Sequence, residues 1–316
     1  MDGLNLDDAA GYLYSKGHCL RPVNKVSRIR MFFKLSIMKK IWKHPITRII
    51  KGVLICLVVF IVLQNMMGYI LGRTGLDRTY KNLIKGIICS AAIIITYRIY
   101  FRWVEKRIIT ELSGRNVAGK LVWGIGIGVA VQSLTILVIY LFGNYQVNAV
   151  NPISYLIIPF AVSFTVAVLE EVLIRGIIFR ISEEWAGSYV ALFFSTVIFG
   201  GLHLLTPHAS FIAATCIGIE GGLMMGAAYI YSKSLWLPIA IHFSWNFMQS
   251  GIFGAVTSGN DKTPSLFTTK ITGPHFITGG GFGPEVSVQA FIFCLLVSSG
   301  MMYLNVKKGK LIKYRR

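Results

Sequence analysis

ISYLIIPFAVSFTVAVLEEVLIRGIIF, residues 153–179, is long and apolar enough to cross a bilayer, yet it carries Glu170, Glu171 and Arg175. A helix rising about 1.5 Å per residue spans the hydrocarbon core in roughly 20 residues. An ionisable group at mid-membrane costs at least about 2.5–3.5 kcal/mol. Two carboxylates and a guanidinium in one span therefore have to face each other or a wet cavity. A stretch of this kind predicts a polar interior enclosed by other membrane helices.

The rest of the chain supplies those helices. Apolar residues make up 54% of the 316 residues and charged residues 14%, well under the roughly 25% charge of a soluble domain. That excludes a water-soluble globule and a disordered chain. Eight apolar runs of spanning length are read: Gly52–Leu71, Leu83–Trp103, Leu121–Phe142, Ile153–Phe179, Ser188–Leu205, Phe211–Tyr231, Leu235–Phe253 and Ser287–Tyr303. They do not alternate polar with apolar residues as barrel strands would, and lipid leaves no partner for open backbone groups, so helices are expected. The fold class predicted is all-α, a polytopic bundle of about eight transmembrane helices.

The net charge of +19 would suit a nucleic-acid binder, but the placement of the charges argues otherwise. With the N-terminus inside, all but six of the 32 basic residues fall on inner segments; the exceptions are Arg73, Arg78, Lys81, Lys85, Lys262 and Lys270. The positive-inside rule then predicts a multi-pass plasma-membrane protein with both termini cytoplasmic, and the surplus charge serves orientation and contact with anionic lipid. Membrane lipids are the expected partners, and nucleic acid is not.

The organisation expected is a basic cytoplasmic segment over 1–48, three spans over 49–150, a functional core over 151–254, an external Gly-rich loop over 255–286, and a last span with a basic tail over 287–316. Ser27–Lys43 interleaves Arg28, Arg30, Lys34, Lys39 and Lys40 with Ile29, Phe32, Phe33, Ile37, Ile41 and Trp42. It reads either as an amphipathic helix in the headgroup layer or as a solvated basic tail. No signal peptide is seen near the start. Cys56, Cys89, Cys216 and Cys294 lie in apolar runs without a C-x-x-C spacing, so they read as small buried hydrophobes rather than a disulfide framework.

Most spans lack charge. The fifth carries His203, and the seventh carries His242 and Asn246. Glu171 and Arg175 are about 40° apart on a helical wheel and can pair, whereas Glu170 is turned about 100° from Glu171. One carboxylate is thus held by the guanidinium while the other is free to act as a general base. His242 and Asn246, also i,i+4, share a face and can cradle a developing oxyanion. Glu170, His203 and His242 lie about 15, 22 and 14 Å from the inner ends of their spans, in one slab of the membrane. Read singly, each group has an ordinary role in helix packing; three spans agreeing in depth point to a site. The role of Glu220, flanked by Gly218, Gly221 and Gly222, is open, and Trp245 and Phe243 read as packing and lipid contact. Two histidines and a glutamate on separate helices can hold zinc, although the H-E-x-x-H spacing is absent; the expected cofactor is none, with a zinc-type divalent metal as the minority possibility.

Glu170-Glu171-Val172-Leu173-Ile174-Arg175 fits E-E-x-x-x-R, Phe199 to His203 fits F-x-x-x-H, and His242 to Asn246 fits H-x-x-x-N. In this order the three motifs resemble the CPBP family of intramembrane endopeptidases, which includes the type II CAAX prenyl proteases and bacterial proteins linked to abortive infection and bacteriocin immunity. The resemblance covers about residues 153–253, and Thr278–Glu285 loosely looks like a Gly-rich segment of some bacterial members. It implies that Glu170 and His203 activate a water for attack on a peptide carbonyl, with a peptide or membrane-protein substrate as partner. It further implies that Glu171 and Arg175 orient the site, that His242 and Asn246 form the oxyanion hole, and that no metal is needed. The alternative is a non-catalytic membrane immunity or sensor protein that binds a peptide.

Overall fold

The computed structural model describes residues 40–314, and from Pro45 onward the chain forms one compact unit. Of the expected amphipathic segment Ser27–Lys43, residues 27–39 lie outside the described residues. Among the described residues seven helices are long and apolar enough to cross a membrane. The first six are α1 (Pro45–Gly72), α2 (Arg78–Val104), α3 (Val117–Leu141), α4 (Ile153–Ala186), α5 (Ser188–Leu205) and α6 (Phe211–Ser232). Next comes α7, built from Trp236–Asn246 and continued by Phe247–Ile252. It answers the expected span Leu235–Phe253 but is too short to count with the others. The seventh long helix, α8, is Val288–Lys307. The protein is an all-α polytopic bundle and a multi-pass membrane protein. The outer faces of α1, α3 and α5 expose Leu54, Val58, Val62, Val122, Trp123, Phe193 and Val197, the apolar surface that hydrocarbon demands.

Helices α4, α6 and α7 each contain a stretch bonded i→i+5 rather than i→i+4: Val172–Phe179, Gly218–Met224 and Phe247–Ile252. Such widened turns concentrate at functional positions because they re-aim the side chains beyond them. Here they begin one residue after Glu171, enclose Glu220, and begin one residue after Asn246.

One end of the bundle is sealed by charge. Arg48 donates to Glu105 from Nε at 2.9 Å and from Nη2 at 2.7 Å, and also reaches Glu184 at 3.0 Å. Arg180 pairs with Glu184, and Lys233 with Glu183 at 3.1 Å. The chain after α8 is pinned here too, because the Ile312 N–H donates to Ser188 Oγ and the Ser188 N–H donates to the Ile312 carbonyl, both at 2.9 Å.

The opposite end carries a two-stranded antiparallel sheet. Strand β1 (Tyr145–Val150) pairs with β2 (Phe267–Ile271), with a bulge between Val147 and Ala149. The segment expected as an external loop, Ala255–Glu285, is therefore partly a strand, and its later part is folded inward, with Phe282 and Glu285 buried. The pairing partner of β2 lies more than 100 residues away, so nothing local in the Gly- and Thr-rich segment announces it.

Helix α3 meets α7 almost backbone to backbone. A Cβ at Gly124 would stand 2.8 Å from the Leu237 carbonyl, and one at Gly128 would stand 2.1 Å from Ser244 Oγ and 2.5 Å from the Ile241 carbonyl. Two glycines four residues apart give the small-residue face that lets membrane helices approach closely without a hydrophobic driving force. The helix held in this way carries His242 and Asn246. Gly128→Val is expected to destabilise the protein by about 1–3 kcal/mol through overpacking. Gly126→Val, where nothing lies within 4 Å, is expected to have little effect. Denaturant unfolding of both variants in detergent checks the contrast.

Candidate active site

Helix α4 places its two carboxylates in different surroundings, as the wheel angle requires. Glu171 and Arg175 are both 0% exposed. Arg175 Nη1 donates to Glu171 Oε1 at 2.9 Å, and the same oxygen lies 2.9 Å from His242 Nδ1 on α7. Glu170 points elsewhere, into an open cavity, and its Oε2 is 3.9 Å from His242 Nε2. His242 therefore bridges the neighbouring glutamates, one at each ring nitrogen. Nδ1 can only donate to the Glu171 carboxylate, so the free edge of the ring is Nε2, facing Glu170.

On α5, His203 is oriented from its own helix. Its Nδ1 lies 2.8 Å from the Phe199 carbonyl, an acceptor, so Nδ1 carries the proton and Nε2 is the unprotonated nitrogen of the neutral ring. Phe199 also supplies the packing that joins the motifs. Its ring lies 4.9 Å from that of His203 and 6.1 Å from that of His242, and the Arg175 guanidinium sits over it at 5.0 Å. The cation–π contact gives the buried guanidinium a polar partner beyond Glu171. Gly221 on α6 makes room for the ring, because a Cβ there would fall 2.1 Å from Phe199 Cε1.

Glu170, His203, His242 and Asn246 line one cavity of about 420 Å³, together with Val162, Ser163 and Val166 of α4 and Ser258, Asn260 and Asp261 of the segment after α7. No lysine or arginine is among its lining residues. Its walls run toward the end of the bundle that carries the sheet, away from the ion-paired end. All six residues singled out from the sequence are thus brought into one neighbourhood: four on the cavity wall, and the Glu171–Arg175 pair directly behind His242. The zinc option finds no ligand set, since among the described residues no group of three or more His, Cys, Asp or Glu is placed to hold a metal ion.

A second chamber, about 40 Å³, shares His203, His242, Asn246 and Ser258 with the first and is lined on its far side by Phe199, Ile217, Met224, Met225 and Trp245. Into it face Glu220 of α6 and Glu285, which are 4% and 1% exposed. Glu285 Oε1 accepts the Ser258 N–H, while Glu285 Oε2 and Glu220 Oε1 are buried without a partner. Burial pushes the Glu285 carboxyl up to about 8, against the Ser258 N–H, which pulls it down. Sequence reasoning left Glu220 open and passed over Glu285. The available signal was an acidic residue closing the Gly279–Pro284 stretch, a composition that serves a backbone folded tightly inward. Trp245 was read as packing and lipid contact, but it lies in the interior against this chamber.

Residues 152–248 match the family model described as type II CAAX prenyl endopeptidase Rce1-like. No curated protein and no solved structure matches. The matched stretch contains all six motif residues and Glu220, and it stops short of Glu285.

Breaking one partner of a buried ion pair costs about 3–5 kcal/mol, because the other charge is left without compensation. Arg175→Met is expected to lower unfolding stability by that amount, and the double variant Glu171→Gln/Arg175→Met to recover most of the loss. Equilibrium denaturation in detergent distinguishes this from a double variant as unstable as the single one.

Proposed function

We propose that the chain, whose residues 152–248 form an Rce1-like domain of a membrane protease family, is an intramembrane endopeptidase that hydrolyses a peptide bond with water activated by Glu170 and His203. The observation that carries this reading is the single cavity onto which Glu170, His203, His242 and Asn246 all open. Glu170 is the carboxylate not held by Arg175, so its oxygens are available to take a proton from water. His203 Nε2, with Nδ1 engaged by the Phe199 carbonyl, is a second acceptor for the same molecule. Proton removal and bond formation to the carbonyl carbon then proceed together.

The developing oxyanion would be met by the Asn246 carboxamide and by His242. With Nδ1 donated to Glu171, His242 can offer an N–H from Nε2 only as the imidazolium. The Glu171 carboxylate compensates that charge at Nδ1, and the developing oxyanion does so at Nε2 once Glu170 has taken the proton from water. Donors fixed by buried partners need no reorganisation as charge develops, and that is where electrostatic stabilisation is strongest.

Orientation follows from charge. The ion-paired end bears Arg48, Lys106, Arg107, Arg180, Lys233 and the tail from Lys307, so the positive-inside rule puts it, with both termini, in the cytoplasm of a plasma-membrane protein. The cavity then opens toward the non-cytoplasmic face, and a substrate segment enters from that side. Support comes from the lining residues Asn260 and Asp261, which lie in the connection opposite the basic end.

Comparing membrane peptides from cells with the wild-type protein against those with Glu170→Gln or His203→Ala tests the chemistry. The expected result is product peptides in wild type only, a rate lowered at least about 100-fold in either variant, and unchanged insertion. Cleavage is expected to persist with a chelator present. Full activity in both variants overturns the assignment, and protection from a peptide toxin by Glu170→Gln without any product peptide would mark a binding protein instead. For orientation, a cysteine at Asn260 is expected to react with an impermeant maleimide in intact cells and a cysteine at Arg115 only after lysis; the reverse pattern would invert the topology.

A further inference from the structure

The small chamber behind the histidines holds two carboxyl groups that the hydrolytic reading does not use. Their unpartnered oxygens, Glu220 Oε1 and Glu285 Oε2, are buried in a space otherwise lined by apolar side chains, His203, His242, Asn246 and Ser258, without a lysine or arginine. Two carboxyl groups buried in so small a volume resist being charged together. From this placement, and resting on the endopeptidase reading, we infer that Glu285, with Glu220 beside it, is the acid that protonates the departing amine, on the side of the site opposite Glu170.

The geometry separates the roles. Glu170 lines only the larger cavity, Glu285 only the smaller, and the two spaces meet at His203, His242, Asn246 and Ser258. As water attacks, its oxygen bonds to the carbonyl carbon and its proton goes to Glu170. When the C–N bond breaks, the bonding pair moves to nitrogen, and nitrogen takes the proton from Glu285 Oε2. The products are a carboxylic acid and an amine. The proton on Glu170 then passes to Glu285 through the shared boundary, which restores both groups and leaves the proton count balanced. Glu285 is the catalytic group in this step. Glu220 lines the same chamber and transfers no proton in this step.

Glu285 reaches this place because the Gly-rich segment is turned inward. A Cβ at Gly279 would lie 1.7 Å from the Gly283 carbonyl, and Gly279 adopts φ +76°. With Glu285 Oε1 occupied by the Ser258 N–H, Oε2, buried without a hydrogen-bond partner, is the oxygen free to carry the proton. The titratable groups facing this region are His203 of α5, Cys216 and Glu220 of α6, His242 of α7, Cys294 of α8, and His208 and His275, which lie against Gly281 and Gly280. Its ionisation near pH 8 leaves the acid form in place below that value and removes it above.

The test compares two leaving groups. A quenched peptide spanning the cleavage site found in the membrane-peptide comparison is made once with its scissile amide and once with a thioester in its place. An amine needs a proton to leave and a thiolate does not. Glu285→Gln is expected to slow amide cleavage at least about 100-fold while leaving thioester cleavage within about threefold of wild type. In the wild-type protein, amide cleavage is expected to fall as pH rises above about 8 while thioester cleavage continues. Equal loss of both substrates in the variant, or no loss of either, overturns the inference, as do superimposable wild-type pH profiles, a measurement that does not depend on the variant folding. Failure of wild type to cleave the amide removes the endopeptidase reading itself, a separate outcome.

Discussion

The Glu171–Arg175 ion pair is the constraint around which this bundle is organised. Both side chains are fully buried, and in hydrocarbon neither charge is tolerable without the other. Glu171 Oε1 also meets His242, and the face of the Arg175 guanidinium lies on Phe199, while Glu171 Oε2 and Arg175 Nε and Nη2 are buried without a hydrogen-bond partner. Each partner comes from a different helix, so one buried pair ties α4 to α5 and α7. The three motifs are therefore parts of one object. E-E-x-x-x-R supplies the pair, F-x-x-x-H the ring that covers it, and H-x-x-x-N the ring that spans its carboxylate and the neighbouring one.

Adjacent glutamates divide the work because a helix turns about 100° per residue. Glu171 turns inward and is fixed. Glu170 reaches the cavity, where its Oε2 lies 3.9 Å from His242 Nε2. A buried, ion-paired carboxylate and a cavity-facing one thus sit one residue apart with no extra scaffold. Gly124 and Gly128 serve the same end from outside the motif region. By letting α3 lie against the α7 backbone, they fix the depth and rotation of the helix that carries His242 and Asn246.

The sequence made the helices and the motif residues visible because burial in lipid imposes long, uniform signals. An apolar run announces a span, and a carboxylate inside one is conspicuous. The i,i+4 spacing of Glu171 and Arg175 shows their pairing directly. What stayed hidden depended on contacts distant in sequence or on backbone detail. β2 is defined by β1, far back along the chain. Trp245 sits on a helix whose shortness and central position cannot be read from its apolarity alone. Glu285 was concealed because its segment is polar and Gly-rich, which reads as a solvated loop unless the turns that direct it inward are known. The neutral Gly-Gly-Gly-Phe-Gly-Pro run before it makes sense only once Phe282 and Glu285 are seen to be buried.

The two ends of the bundle differ in a way that bears on how water reaches a bond inside a membrane. At the basic end, Arg48, Glu105, Arg180 and Glu184 are linked to one another and the tail is hydrogen-bonded to Ser188. Opening that side would break several charge-assisted contacts at once. At the other end the wall is a two-stranded sheet and hydroxyl- and amide-bearing side chains, a surface that water wets readily and that can shift at smaller cost. The polar cavity extends from the motif residues toward this second end. The charged layer holds the helices in register, and the segment after α7 borders the cavity onto which Glu170 opens. That segment also inserts Glu285 behind the histidines, so the element at the mouth of the site contributes a side chain to its far wall.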